Sequence, residues 1–141
     1  MNYSTFNINN FFIKKDSTLP ELKYPLTQFT LEQYDITADM LENVAVTFSM
    51  IDANTGLYRI ANVPASIVFN IDRPQYPDEL LYTLVYRFKL PQTSKAGRFV
   101  GEFTLDFLPS GNDGGCGKLK LPVDDVVNIV ISDSITKTTV I

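Results

Sequence analysis

Hydrophobic and polar residues alternate along much of this chain. In NVAVTFSMID, residues 43–52, Val44, Val46, Phe48 and Met50 fall on one side, with Ala45, Thr47 and Ser49 on the other. A period of two, filled by β-branched and aromatic residues, predicts a half-buried strand. Asp52 to Gly56, DANTG, then supplies turn chemistry. LYRIANV (57–63) and ASIVFNI (65–71) predict two further strands, separated at Pro64. RPQYPDE (73–79) is a loop. In LYTLVYRFKL (81–90), Tyr82, Leu84, Tyr86, Phe88 and Leu90 face one way, against Thr83, Val85, Arg87 and Lys89. PQTSKAG connects it to RFVGEFTLDFL (98–108), where Phe99, Gly101, Phe103, Leu105 and Phe107 share a face. KLKLP and VVNIVIS complete the strands.

Many short strands with turn clusters between them predict an all-β chain folded as an antiparallel sandwich. Helix is scarce. ITADMLEN (36–43) allows one or two turns, with Thr37 as N-cap and an end before Asn43. Residues 82–90 and 98–107 read as a hairpin. Pairing Leu90 with Phe99 keeps both aromatic faces inward, sets Phe88 opposite Gly101, and sets Arg87 opposite Glu102. That register covers the one vacant inward site with a ring and adds an outer ion pair.

Residues 1–18 read as an N-terminal arm ahead of a single sandwich domain, 19–141. The arm is rich in asparagine yet carries Phe6, Ile8, Phe11, Phe12 and Ile13. Large apolar groups on a polar segment need burial. Two outcomes are open: an extra edge strand of the same domain, or an arm docked on a neighbouring subunit. These five residues are the candidate interface.

Composition narrows the role mainly by exclusion. The net charge is −4, with no basic stripe, which argues against nucleic acid and anionic membrane as partners. No run approaches the ~20 apolar residues of a membrane span. The N-terminus has no basic start and no sustained apolar run, so no signal peptide is expected. A single cysteine excludes an internal disulfide framework and fits a reducing compartment.

The chain offers little for catalysis. It has no histidine, hence no imidazole base and no Ser–His or Cys–His pair. Cys116, with only Lys118 and Lys120 near in sequence, reads as incidental. GNDGGCGK (111–118) has the glycines of a phosphate loop but not its spacing. Leu119 follows Lys118 where Ser or Thr belongs, and a strand follows where a helix belongs. The segment 109–118 reads instead as a connection between two antiparallel strands, with Asn112 and Asp113 suited to a turn. Asp52, Asn54 and Gly56 open like a calcium loop, but position 63 is Val63 where the glutamate belongs. Asp124 and Asp125 are adjacent and read as turn decoration. No pair of carboxylates is nominated for one cleft. No cofactor or metal is expected. A sugar-binding sandwich would need exposed planar rings, for which Tyr24, Tyr34, Tyr58 and Tyr76 are the candidates.

The order of the blocks VAVTFSMIDANTGLYRIANVPASIVF, LYTLVYRFKL, AGRFVGEFTLDF and VVNIVISDSI resembles the immunoglobulin-like attachment domain of tailed-bacteriophage virion proteins. That group includes the N-terminal domain of the baseplate upper protein and the small sandwiches of head fibres and capsid decoration. The resemblance covers about residues 44 to 135. It implies an immunoglobulin-like sandwich without catalytic residues, assembled in the host cytoplasm into the virion. Other virion proteins and copies of the chain itself would be the partners, giving a homo-oligomer. In baseplate proteins a helical or fibre-forming region follows the domain. Here the sequence stops at Ile141, which favours a head-fibre, capsid-surface or adaptor component. A carbohydrate-binding module is the alternative.

Overall fold

A computed structural model of the protein describes residues 10–69, 80–107, 117–123 and 125–133. The chain runs β1 (Asn10–Lys14), β2 (Leu22–Thr27), α1 (Gln28–Gln33), α2 (Ala38–Glu42), β3 (Val44–Asp52), β4 (Tyr58–Pro64), β5 (Ser66–Phe69), β6 (Leu80–Tyr86), β7 (Gly97–Phe107), β8 (Gly117–Leu121) and β9 (Val127–Ser132). The described residues are all-β apart from two short helices and a 3₁₀ turn at Leu90–Thr93.

The strands form two sheets. The larger has the order β1-β9-β7-β3-β4, with β8 also paired to β7; the smaller is β2-β6-β5. β7 is long enough to hold two partners on one side. Gly97 to Gly101 pair with β9, and Phe103 to Phe107 pair with β8. Every pairing is antiparallel except β1 with β9, which is parallel. The chain changes sheet between β4 and β5. Pro64 ends one strand, and the amide of Ala65 donates to the carbonyl of Val46 at 2.8 Å. The predicted break at Pro64 is therefore a crossing from sheet to sheet.

The core lies between the sheets. Val46, Phe48 and Met50 are buried, as the alternation predicts, and Thr47 and Ser49 are not. Phe48 stacks on Tyr86 of the opposite sheet at 4.7 Å and meets Phe103 at 5.0 Å and Phe88 at 6.0 Å. Such offset and edge contacts add about 0.5–1.5 kcal/mol beyond area burial.

The predicted hairpin between residues 82–90 and 98–107 does not form. β6 belongs to the smaller sheet, and β7 pairs with β3 across the whole of Val44 to Asp52. Arg87 lies 3.2 Å from Glu21, and Glu102 lies 3.5 Å from Lys120. Alternation fixes which face a residue takes; it does not fix which strand becomes the neighbour. The vacancy at Gly101 is real, but a different ring fills it. A Cβ there would stand 2.7 Å from Cζ of Phe48 and 3.0 Å from Cδ1 of Ile129.

Both helices are local constructions. Thr37 Oγ1 accepts from the amide of Met40 at 3.3 Å, and Asn43 ends α2, as predicted. Thr27 Oγ1 caps α1 in the same way, accepting from Thr30 N at 3.1 Å. Each helix buries one leucine, Leu31 and Leu41.

Candidate functional site

β1 carries three of the five predicted interface residues; Phe6 and Ile8 lie outside the described residues. Period-two geometry divides the three. Ile13 is buried at 3% exposure, and Phe11 stacks on Phe88 at 5.8 Å. Phe12 points away from the core, 65% exposed, opposite Val130 in the register. Residues 10–14 are thus an edge strand of the larger sheet. Their exit is pinned by three bonds. Lys15 N donates to Ser132 O at 2.7 Å and Asp16 N to Thr93 O at 2.9 Å. The buried Thr93 hydroxyl donates to Ser17 O at 2.8 Å. Nothing local predicts the partnership of β1 with β9, because the paired residues Asn10 and Asn128 sit at opposite ends of the sequence.

Among the described residues, three shallow hollows mark the surface. One, about 150 Å³, lies on the outer side of the larger sheet among Ser49, Ile51, Tyr58, Val100 and Glu102. Ser49 and Asn62 bond each other there, with Asn62 N donating to Ser49 Oγ at 2.9 Å. A second, about 290 Å³, lies between α2 and the smaller sheet, against Leu41, Ile67, Phe69 and Tyr82. Phe69 and Tyr82 stack at 5.1 Å along its side.

The third hollow, about 220 Å³, sits beside the turn after β3, among Asp52, Leu57, Tyr58, Arg59, Lys95 and Phe99. The guanidinium of Arg59 rides 5.7 Å over the Phe99 ring. Asp52 acts as a turn residue. Its Oδ1 accepts from Asn54 N at 2.8 Å and Thr55 N at 3.2 Å. Gly56 completes the turn at φ 74°. These two amides, helped by Lys95 and Arg59, hold the Asp52 carboxyl below its usual range.

Among the described residues the other chemical candidates do not converge. Cys116, Asp124, Tyr76 and the segment 109–116 lie outside the described residues. Asp125 Oδ1 accepts from Val126 N at 2.8 Å in an exposed turn. Tyr24 and Tyr34 pack against the core, while Tyr58 is 68% exposed. Burial pushes the Tyr86 phenol up, and its hydroxyl donates to Gln92 Oε1 at 2.8 Å. That same oxygen accepts from Lys89 N, so the bond closes the 3₁₀ turn. Among the described residues, no three of His, Cys, Asp and Glu gather as metal ligands. Among them, too, no helix is long and apolar enough to cross a membrane.

What the surface offers is contact: an outward aromatic on an edge strand, and hollows lined by exposed apolar groups. Comparison with protein-family models, curated proteins and solved structures finds no match to this chain.

Proposed function

We propose that the chain is a non-enzymatic structural protein of a tailed-bacteriophage virion, acting through protein–protein interfaces as a head-fibre, capsid-surface or adaptor component. The observation that carries this reading is the strand order. We read β9-β7-β3-β4 facing β2-β6-β5 as the G-F-C-C′ and B-E-D sheets of a variable-type immunoglobulin arrangement, with β1 an added edge strand and β8 an addition to the F–G connection. That is the fold the sequence resemblance implies, and it supports the resemblance without supplying a function by itself. Symmetric repetition in a virion multiplies weak contacts, and β1 offers one: Phe12 presented outward from a strand whose neighbours anchor it in the core.

Mass spectrometry of purified particles of the phage encoding this chain tests the reading. Several copies per particle support it; absence from intact particles overturns it. Deleting residues 1–18 to test the arm would remove β1 and its buried Ile13. The better probe is Phe12→Ser in the full chain, whose solution mass reports on the outward face alone. A carbohydrate-binding module has one observation in its favour, the exposed ring of Tyr58 beside a polar hollow. Retention on a glycan column that is lost with Tyr58→Ala would favour it.

A further inference from the structure

The two ends of the sandwich differ in the charge that their described loops and helices carry. From Tyr24 to Tyr58 the sequence holds Glu32, Asp35, Asp39, Glu42 and Asp52 and no lysine or arginine. The first four belong to the helical end, before β3 starts, and all four are exposed. The opposite end, about 30 Å away along the nine residues of β3, carries the turn 53–57 and the segment 87–96. Lys15 and Arg87 are neutralised there by Asp16 and Glu21, at 3.6 and 3.2 Å. Arg59, Lys89, Lys95 and Arg98 make no salt bridge among the described residues.

Each end also has an apolar feature. On α1, Phe29 is 66% exposed, and Glu32 follows it one turn later on the same helix face. At the other end, the hollow beside the Asp52 turn is lined by Leu57 and Tyr58, by Arg59 and Lys95, and by Phe99, which is 2% exposed with the Arg59 guanidinium over its ring. Leu57 is 69% exposed. Asp52 also lines this hollow, but its carboxylate is already engaged by the turn amides. An exposed ring beside a carboxylate thus stands at one end, and an apolar hollow beside two cations at the other.

We propose that copies of this chain associate end to end, with Phe29 of one copy seated in the Leu57–Phe99 hollow of the next and Glu32 directed at Lys95 and Arg59. The two surfaces differ, so the contact is heterologous. It repeats into a file of subunits, or closes into a ring if the rotation permits. Its charge component is screened by salt, because the Debye length falls from about 10 Å at 0.1 M to about 3 Å at 1 M. The inference concerns the two ends of the sandwich. It depends neither on the virion reading nor on β1.

Sedimentation velocity of the full chain over a concentration series, at about 50 mM and about 500 mM salt, tests it. The expected result is association that weakens at least about tenfold in the higher salt and about tenfold with Phe29→Ser. Glu32→Lys and Lys95→Glu each weaken it alone, and an equimolar mixture of the two variants restores it. All three positions are exposed, so folding is preserved, and the restored mixture shows this directly. A chain that stays monomeric at about 1 mM in low salt overturns the proposal. So does association that ignores all three substitutions; if that association is lost with Phe12→Ser, the contact belongs to β1 and the end-to-end reading fails alone.

Discussion

β3 and β1 lie in the same sheet and are held in different ways. β3 has a neighbour on each side and nine register partners on β7. Three of its residues are buried, and Phe48 touches rings from both sheets. Among the described residues, β1 has one neighbour, five register partners, and a single fully buried side chain, Ile13. A strand in the middle of a sheet is over-determined, since pattern, register and packing all require the same placement. A strand at the edge rests on a few anchors and keeps an open row of backbone groups on its far side. Stability is therefore concentrated in β3 and β7, and surface available for contact is concentrated at the margins.

The contrast has a direct measure. Phe48→Ala removes the ring that both sheets share and is expected to cost about 3–5 kcal/mol. Ile13→Ala empties the one deep anchor of β1 and is expected near the low end of the large-to-small range, about 2 kcal/mol, because an edge strand can settle into the space. Urea denaturation of both variants gives the two values. Amide exchange should rank the strands in the same order, with β1 opening well before β3. An Ile13→Ala cost equal to that of Phe48→Ala would mean that β1 is as integral as the centre, and the contrast would break.

A smaller effect probes how β3 is entered. Thr37 caps α2, whose last residue stands two before Val44. Thr37→Ala leaves Met40 N without its acceptor and should cost about 1 kcal/mol. Thr37→Asn should recover most of that in the same denaturation assay. A cap whose removal costs nothing would mean that α2 is held by Leu41 alone.

These features differ in how far the sequence exposes them, and the reason is range. The cap at Thr37, the face carried by Val46, Phe48 and Met50, the turn at Asp52 and the break at Pro64 depend on residues a few positions apart. Local chemistry therefore announces them. The short helix α1 has a local signal too, Thr27 followed three residues later by Thr30. Six residues are nonetheless too few to display a helical period. The partners of β6 and β7 are decided over longer range. Phe88 and Phe99 both alternate correctly, and a seven-residue connection between two such runs imitates a hairpin. The chain instead crosses between sheets there, because Tyr86 and Phe88 meet Phe48 from the opposite side. The parallel partnership of β1 with β9 leaves no local trace at all. The match between Phe29 and the hollow at Leu57 is of the same kind. Its halves look ordinary in sequence, and only the topology sets them at opposite ends of one body.

The smallest effect lies at the exit of β3 and is distinguished by its pH dependence. Asp52 accepts two turn amides, and its carboxyl is held below the ordinary value of 3.8. A carboxyl depressed in the folded state contributes stability that is present above its unfolded pKa and lost as pH falls through its folded one. Asp52→Asn keeps an oxygen for the same amides and is itself well suited to the turn, but it cannot ionise. The substitution should therefore weaken the protein slightly at neutral pH, where the charged acceptor makes the stronger bond. As pH falls below 3.8 and through the lower value the carboxyl has in the folded protein, the two proteins should converge, because the wild-type carboxyl becomes protonated. The group lies at the surface in an exposed turn, so the whole effect is small, and thermal melts of the pair compared between neutral and acid pH are enough to read it. A gap that stays constant down to strong acid would mean that the turn amides recognise the shape of the side chain and not its charge. The exit of β3 would then be held by geometry alone, as its interior is.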